Sequence, residues 1–158
     1  MPSKTQSILI GALTAGILST SYLGFINVVC CLGVILGALA AVWHYTSTHK
    51  LTLRAGSGAG LGALAAVGGA LIAAVLNFLL AQIGLDASGA LNDLIINQFG
   101  AQMDPAQIQE MRDQEANAGT IGALFQGLIF GIPIYAIFGA IGGAIGASIF
   151  KKGEEEVF

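Results

Sequence analysis

Three long segments without a charged residue dominate the pattern of hydrophobic and polar positions along the chain. They cover residues 5 to 43, 55 to 85 and 116 to 150. Uninterrupted apolar segments of about 18 residues or more are typical of helices that cross a membrane. The pattern therefore predicts an all-α integral membrane protein.

The first of these segments is too long for one crossing. A single helix over most of it would reach about 54 Å, whereas the hydrocarbon core of a bilayer is roughly 30 Å thick. Small polar residues and a glycine at positions 19 to 24 favour a turn. We therefore expect a helical hairpin, with one helix over about residues 5–20 and a second over about residues 27–46.

The other two segments each predict one further span. They give a third helix over about residues 56–82 and a fourth over about residues 119–150. Pro133 lies inside the fourth helix, where its missing N–H and its ring should produce a kink. The expected fold is a four-helix transmembrane bundle that forms a single membrane domain.

The distribution of basic residues predicts the orientation, because cytoplasmic loops of membrane proteins carry an excess of lysine and arginine. With four spans, Arg112 lies alone on one side. The other basic residues then share the opposite side: Lys4, Lys50, Arg54, Lys151 and Lys152. Three spans would weaken this asymmetry, so we expect four spans, both termini in the cytoplasm, and an acidic cytoplasmic tail over residues 151–158.

The polar region between the third and fourth helices, residues 86–118, should lie on the extracytoplasmic side. Apolar residues recur at helical spacing in residues 88–99, which predicts a short amphipathic helix. Asp104, Pro105 and Gln107 then form a helix-start signal: aspartate caps, proline suits the first position and glutamine completes a capping box. A second short helix should follow and lead into the fourth span.

Composition agrees with a membrane protein. Charged residues make up 9% of the chain and apolar residues 55%, and the mean hydropathy is +0.80. A soluble domain has about 25% charged residues. The net charge of −3 is too small to indicate a partner. From the apolar segments we expect the lipid bilayer and other integral membrane subunits as partners, and we expect no nucleic acid.

Small residues recur every four positions on each predicted helix. Helices in lipid associate through close approach of their backbones, which small residues permit. We expect these faces to pack the four helices together or to contact another subunit. The glycines predicted at such interfaces are Gly33, Gly37, Gly58, Gly62, Gly127, Gly131, Gly139 and Gly143.

Asn27, Cys30 and Cys31 open the second predicted helix. Neighbouring residues point about 100° apart on a helix, so the two cysteines are poorly placed to bind one metal ion or form an unstrained disulfide. We expect packing roles for both cysteines and no metal site. Asn27 is expected to cap the second helix, because its side chain can bond backbone groups that no water reaches. An interhelical or ligand hydrogen bond is the alternative.

His44 and His49 lie near the cytoplasmic end of the second helix. Their spacing of five residues does not place both side chains on one helix face, as a metal pair requires. We expect them to anchor the helix at the membrane interface, and we expect no cofactor. A contact between His44 and the metal of a tetrapyrrole is the alternative.

Asp, Glu, Lys and Arg are absent between the proposed ends of the four spans. The strongly polar residues of the third and fourth helices are Asn77, Gln82 and Gln126. Ion-coupled transport usually needs a carboxylate inside the membrane. The glycine-rich start of the third helix also lacks the G-K-[ST] ending of a phosphate-binding loop. An ion-driven transporter or pump is therefore disfavoured. We also expect that the protein is not an enzyme, because both histidines lie together on the cytoplasmic side and no serine, histidine and acid constellation is available inside the membrane.

Several motifs carry a family resemblance. They are Asn27-x-x-Cys30-Cys31 with Leu32, Gly33, Gly37 and Ala40-Ala41-Val42, the glycine-rich start of the third helix, and the G-A-I-G-G-A-I-G-A ending of the fourth. In these motifs the chain resembles small bacterial four-span membrane proteins of uncharacterised function. The resemblance implies a multi-pass protein of the bacterial inner membrane, and it implies no catalytic residue.

The leading functional hypothesis is a non-catalytic accessory or scaffolding subunit of a larger bacterial inner-membrane complex. It follows from the missing intramembrane charges and the small-residue faces. One alternative is a homo-oligomeric channel or facilitator for a small neutral solute, with Asn77 or Gln126 along the pore. Another is a subunit that contacts a pigment, haem or quinone in a bioenergetic complex through His44.

Overall fold

The computed structural model describes residues 3–20, 23, 27, 31–85 and 88–153. Within these residues the chain is all-helical, as the sequence predicts, and no β-strand is present there. A short 3₁₀ turn, Gly100–Gln102, separates the fourth and fifth helices. The α-helices of this part are α1 Thr5–Leu18, α2 Leu32–His49, α3 Ala55–Gln82, α4 Ser88–Phe99, α5 Pro105–Asn117 and α6 Ile121–Ile149.

Four of the helices pack against one another, namely α1, α2, α3 and α6, and we call them the four-helix core. The most extensive contact joins α3 to α6. α1 packs against α2 and α3, and α2 also contacts α3 and α6. α1 and α3 begin, and α2 and α6 end, at the same end of this core, which we call the basic end.

The four core helices differ in length. α3 and α6 have 28 and 29 residues, and both are long and apolar enough to cross a membrane. At 1.5 Å per residue, each is about 42 Å long. α1 and α2 have 14 and 18 residues, so they are long enough to pack along only part of α3 and α6. α6 continues through Pro133 as one helix.

The helix α2 begins at Leu32, and Asn27, where the sequence pattern predicts the start, is also helical, while residues 28–30 lie outside the described residues. Cys31 separates the two, because it has left-handed backbone dihedrals with φ 52° that no right-handed helix contains. The Cys31 N–H donates to the Asn27 carbonyl at 3.0 Å, and the Cys31 carbonyl accepts the Val34 N–H at 2.9 Å. The chain therefore turns at Cys31. Cys30, three positions of the expected turn (21, 22 and 24) and the acidic residues 154–156 lie outside the described residues.

The interior of the four-helix core is built from small side chains, and large apolar side chains face outward. Among the described residues, alanines dominate the buried set, together with a few larger residues such as Val34 and Tyr45. Leu64 on α3 is 59% exposed, and Ile129 on α6 is 67% exposed. Burial in this core therefore follows side-chain size, because the helices approach closely where their side chains are small.

α4 and α5 lie beside the far end of the core. Asp104 accepts the Ala106 N–H at 2.9 Å, and the Gln107 side chain accepts the Asp104 N–H at 3.1 Å. The capping box predicted from the sequence is therefore present at the start of α5. The Asn92 side chain on α4 donates to the Met111 carbonyl on α5 at 3.3 Å, which joins the two short helices.

Candidate functional site

α3 and α6 approach each other through glycine. A Cβ atom added at Gly58 would lie 2.5 Å from the Ala147 Cβ and 2.6 Å from the Gly143 carbonyl oxygen. A Cβ at Gly62 would overlap the backbone of Gly139 and Gly143. Backbone atoms cannot move aside as a flexible side chain can, so this half of the interface accepts only glycine at these positions.

The contact of α1 with α2 and α3 uses the same device. A Cβ atom at Gly37 would lie 2.5 Å from the Ala15 Cβ. At Gly11 it would lie 2.6 Å from the Ala41 Cβ and 2.9 Å from the Ala65 Cβ. Small residues from three helices thus meet without space for a further carbon atom.

Gly127 and Gly131 differ from these packed glycines. No atom outside their immediate neighbourhood lies within 4 Å of a Cβ added at either position. Both line a groove of about 340 Å³ between the C-terminal half of α3 and the N-terminal half of α6. We call it the α3–α6 groove. Of the eight glycines predicted at interfaces, these two are left uncovered by the described part of the chain.

The α3–α6 groove has small apolar walls and a few polar groups. Its volume falls within the range of roughly 300–1,000 Å³ that is common for binding pockets, which often lie between helices. The polar side chains along it belong to Asn77, Thr120 and Tyr135. The small residues of its walls include Ala70, Ala73, Ala74, Ala81, Ala118, Gly119 and Ala123.

At one end of the groove, Asn77 and Tyr135 join a polar cluster that we call the Ser19 network. The Asn77 amide donates to the Ser19 carbonyl at 3.3 Å, and the Tyr135 hydroxyl lies near the Ser19 side chain. The Asn27 amide donates to the Ser19 hydroxyl at 2.8 Å, and its oxygen accepts the Gly33 N–H at 2.8 Å. The network therefore joins the end of α1, the start of α2, α3 and α6.

Asn27 occupies a different position from the cap that the sequence predicts. The N-cap residue of α2 is Cys31, and it makes no capping bond with its side chain. Asn27 lies four residues earlier, yet its oxygen accepts an N–H group of the first turn of α2, that of Gly33. The same side chain makes a bond to Ser19 on the preceding element. The hairpin turn is thus stabilised from both sides by one amide.

At its other end, the groove is bounded by the junction of α5 and α6. The Gln82 amide at the end of α3 donates to the Gly119 carbonyl at 2.6 Å. Gly119 has φ +81°, a left-handed conformation that glycine adopts without a steric penalty. The Thr120 hydroxyl accepts the Ala123 N–H at 3.1 Å and caps α6. Gln126 lies apart from Asn77, in a second recess of about 690 Å³ beside α5.

His44 lies toward the basic end of the core, away from the groove. Its Nδ1 atom and the Ser7 hydroxyl are hydrogen-bonded at 2.9 Å, and Ser7 is 1% exposed. Tyr45 next to it is fully buried, and its ring meets His49 edge-on with the ring centres 4.9 Å apart. In the part of the chain that the structure describes, no three His, Cys, Asp or Glu side chains gather as metal ligands would.

Ser19 and Tyr135 are the residues of this site that the sequence pattern does not single out. Ser19 reads as one of several turn residues, and Tyr135 as one aromatic side chain in an apolar helix. One feature of the sequence could have indicated Tyr135, namely its position two residues after Pro133 in an otherwise apolar helix. A tyrosine hydroxyl in such a helix is expected to form a hydrogen bond with a neighbouring element.

The fold and the groove define an all-helical protein in which two helices, α3 and α6, are long and apolar enough to cross a membrane. The chain belongs to the DUF4199 family, described as a protein of unknown function, whose model matches residues 6–152. No curated protein matches the chain, and neither does any solved structure.

Proposed function

We propose that this chain is a four-span protein of the bacterial inner membrane. In this proposal it acts as a non-catalytic accessory subunit that binds another integral membrane protein at the α3–α6 groove. The observation that carries the proposal is the uncovered pair Gly127 and Gly131 on α6. The same spacing at Gly139 and Gly143 is packed closely against α3.

Membrane insertion is supported by the distribution of side chains. Soluble monomers rarely expose a continuous apolar patch larger than a few hundred Å². Here large apolar side chains are exposed on all four core helices, for example Leu13 on α1, Leu36 on α2, Leu71 on α3 and Ile137 on α6. Such a surface is stable in contact with the hydrocarbon chains of lipid. In water, the exposed apolar side chains would drive the protein to aggregate.

The four-span orientation is supported by the positions of the basic residues. Lys4 precedes α1, Lys50 follows α2, Arg54 precedes α3 and Lys151 lies just after α6. All four therefore lie at the basic end of the core, and Arg112 lies on α5 beside the opposite end. This arrangement is the one expected when the basic end faces the cytoplasm.

A binding role at the groove follows from how helices associate in lipid. Close contact between backbones provides most of the attraction, and an unfilled groove loses those dispersion contacts. A helix of a partner protein could approach α6 closely over Gly127 and Gly131 and insert apolar side chains between α6 and α3. The partner would thereby obtain contacts of the same kind that Gly139 and Gly143 make inside the chain.

The chemistry of the groove favours binding over catalysis. Its described lining includes no Asp, Glu, His, Lys or Cys side chain. Two of the polar groups present are already engaged: Asn77 with the Ser19 carbonyl, and Thr120 with the Ala123 N–H. Acid–base or nucleophilic catalysis needs a positioned group with a suitable pKa, and we propose that none operates here.

The test is co-purification of the tagged chain from bacterial membranes in a mild detergent, followed by native mass spectrometry. We expect a stoichiometric integral membrane partner with the unaltered chain. We expect the double variant Gly127→Leu and Gly131→Leu to lose that partner. Gly60→Leu is the matched control, because Gly60 on α3 is equally open but lies outside the groove.

Two outcomes would contradict the proposal. A lone monomer from native membranes would remove the accessory role. Equal recovery of the partner with the double variant and with Gly60→Leu would leave an accessory subunit but would place its contact away from the groove. Thermal unfolding of each purified variant shows whether a lost partner reflects the groove or a damaged fold.

A further inference from the structure

A separate recess lies at the basic end of the four-helix core, far from the α3–α6 groove and from the recess beside α5. Its volume is about 470 Å³, and it lies between the connection that joins α2 to α3 and the end of α6. Thr52 and Arg54 line it on one side, and Ser148 and Lys151 on the other. We call it the basic recess. Neither the fold nor the proposed partner contact assigns a role to it.

Two basic side chains stand among the described residues that line the basic recess. Arg54 and Lys151 both border it, and its described lining contains no Asp or Glu. The first intrahelical bond of α3 runs from the Gly58 N–H to the Arg54 carbonyl, and Arg54 makes no capping bond with its side chain. The N–H groups of the first turn of α3 therefore add positive potential to that of the two side chains.

The two walls of the basic recess are held together by contacts at its edge. The Thr52 hydroxyl donates to the Gly153 carbonyl at 3.1 Å. Gly153 has φ +104°, and a Cβ added there would overlap the Lys50 carbonyl, so only glycine fits against this connection. These contacts bring Lys151 to the same recess as Arg54. The tertiary structure therefore places the positive charges of Arg54 and Lys151 at the same recess.

An apolar surface leads away from the recess along α6. Ser148 shares a helix face with Ile141 and Ile145, since the three residues are four and three positions apart. Both isoleucines are exposed, at 47% and 43%. A ligand whose anionic group enters the recess would thus have an apolar helix face beside it for a hydrocarbon chain.

We propose that the basic recess binds the phosphate group of an anionic phospholipid of the cytoplasmic leaflet, with its acyl chains along α6. Basic pockets at the cytoplasmic ends of membrane helices suit anionic lipid headgroups, and arginine bonds phosphate oxygens in pairs. The proposal rests on the proposed membrane location and is independent of the partner groove. It assigns the recess a function as a specific lipid site.

Three glutamates, residues 154 to 156, follow Gly153 directly in the sequence. They carry negative charge close in sequence to Lys151, so their competition with a lipid has to be tested. Free phosphate is another competitor, because it carries the same chemistry without a hydrocarbon chain. The experiment must therefore separate the lipid from both.

The test is a titration of the purified full chain in a neutral detergent, read by native mass spectrometry. Phosphatidylglycerol is compared with phosphatidylcholine, which has the same chains and no net charge. Since each basic residue near a lipid surface contributes about 1 kcal/mol, we expect one phosphatidylglycerol to bind at least about tenfold more tightly than phosphatidylcholine.

The double variant Arg54→Gln and Lys151→Gln should lose this preference for phosphatidylglycerol. Lys152→Gln is the matched control, because Lys152 carries the same charge one residue further on but does not line the recess.

Three results would overturn the proposal. The first is an equal affinity for the two lipids. The second is an unchanged preference in the double variant. The third is displacement of the lipid by millimolar inorganic phosphate, which would assign the recess to free phosphate.

Replacing the three glutamates by glutamine should leave the lipid bound or increase its affinity, and weaker binding would contradict the proposal. None of these measurements depends on a protein partner. They therefore test the lipid site separately from the proposed accessory role.

Discussion

The side chain of Asn27 accepts the backbone N–H of Gly33 at 2.8 Å. Gly33 is in the first turn of α2, where N–H groups have no acceptor within the helix. The same amide donates to Ser19 at the end of α1. One residue thus satisfies polar groups on both sides of the hairpin turn, at a place where the exposed residues nearby are apolar.

We predict that Asn27→Ala destabilises the chain by about 1–3 kcal/mol, because it leaves the Gly33 N–H and the Ser19 hydroxyl without these partners. The measurement is the free energy of unfolding in mixed micelles with increasing denaturing detergent. Asn97→Ala is the control, since Asn97 is exposed on α4. A change for Asn27→Ala no larger than that of the control would show that the Ser19 network contributes little stability.

A matched pair of glycines on α3 tests the packing of the core. We predict that Gly58→Ala destabilises the chain by about 1–3 kcal/mol, because the new methyl group overlaps Ala147 and the Gly143 carbonyl. Gly60→Ala should instead stabilise it by roughly 0.5–1 kcal/mol, since alanine is the better helix former and nothing lies within 4 Å. Thermal unfolding in one detergent compares the two. Opposite signs are the expected result, and equal effects would mean that α3 does not approach α6 as described.

A second pair distinguishes the two halves of α6. Gly143→Leu should disrupt folding, because Gly143 lies against the backbone of Gly58 and Gly62. Gly127→Leu should change the free energy of unfolding of the isolated chain by less than about 0.5 kcal/mol, as for a surface substitution, because its neighbourhood is open. The yield of monodisperse protein and the unfolding midpoint measure both variants. Strong destabilisation by Gly127→Leu would mean that the groove is closed within the chain.

The capping box of α5 predicts a local effect. Asp104→Ala should cost about 1 kcal/mol at the start of this helix, because the Ala106 N–H loses its acceptor. Hydrogen exchange followed by mass spectrometry should show faster exchange in the first turn of α5 and little change in α3. Asp93→Ala on the exposed surface of α4 is the control. Equal exchange in the two variants would show that the cap does not stabilise α5.

Single cysteines on a cysteine-free background test the four-span topology. With both termini cytoplasmic, Ser3→Cys and Lys152→Cys should react with a membrane-impermeant maleimide only after the cells are made permeable. Gln109→Cys on α5 should react in intact cells. Reaction of Ser3→Cys from outside would indicate three spans, and protection of all three positions in permeable cells would argue against exposed ends.

Asp104 and Gly143 show how far the sequence predicts this fold. The capping box at Asp104 depends on residues within one helical turn, so its sequence pattern is sufficient. The spacing of Gly139 and Gly143 is identical to that of Gly127 and Gly131, yet only the first pair is packed. The pattern on one helix contains no information about which part of it a neighbouring helix covers. That depends on which half of α6 packs closely against α3.

Asn27 also shows that the sequence pattern predicts only part of the local structure. Its residue type predicts a bond to backbone groups at the start of α2, while the helix itself begins after the left-handed turn at Cys31. A left-handed conformation at a residue other than glycine is not a local preference. It is determined by the contacts of the surrounding chain, and the sequence pattern therefore does not predict the interruption at Cys31.

The sequence by itself determines that the chain is helical, where its two longest apolar helices lie and how α5 begins. These properties depend on periodicity, composition and caps, which act over a few residues. Only the tertiary structure decides that Gly127 and Gly131 remain open, that Tyr135 and Asn77 both lie beside Ser19, and that Arg54 and Lys151 border one recess. Each of these relationships joins residues far apart in the sequence, and only the packing of whole helices brings them together.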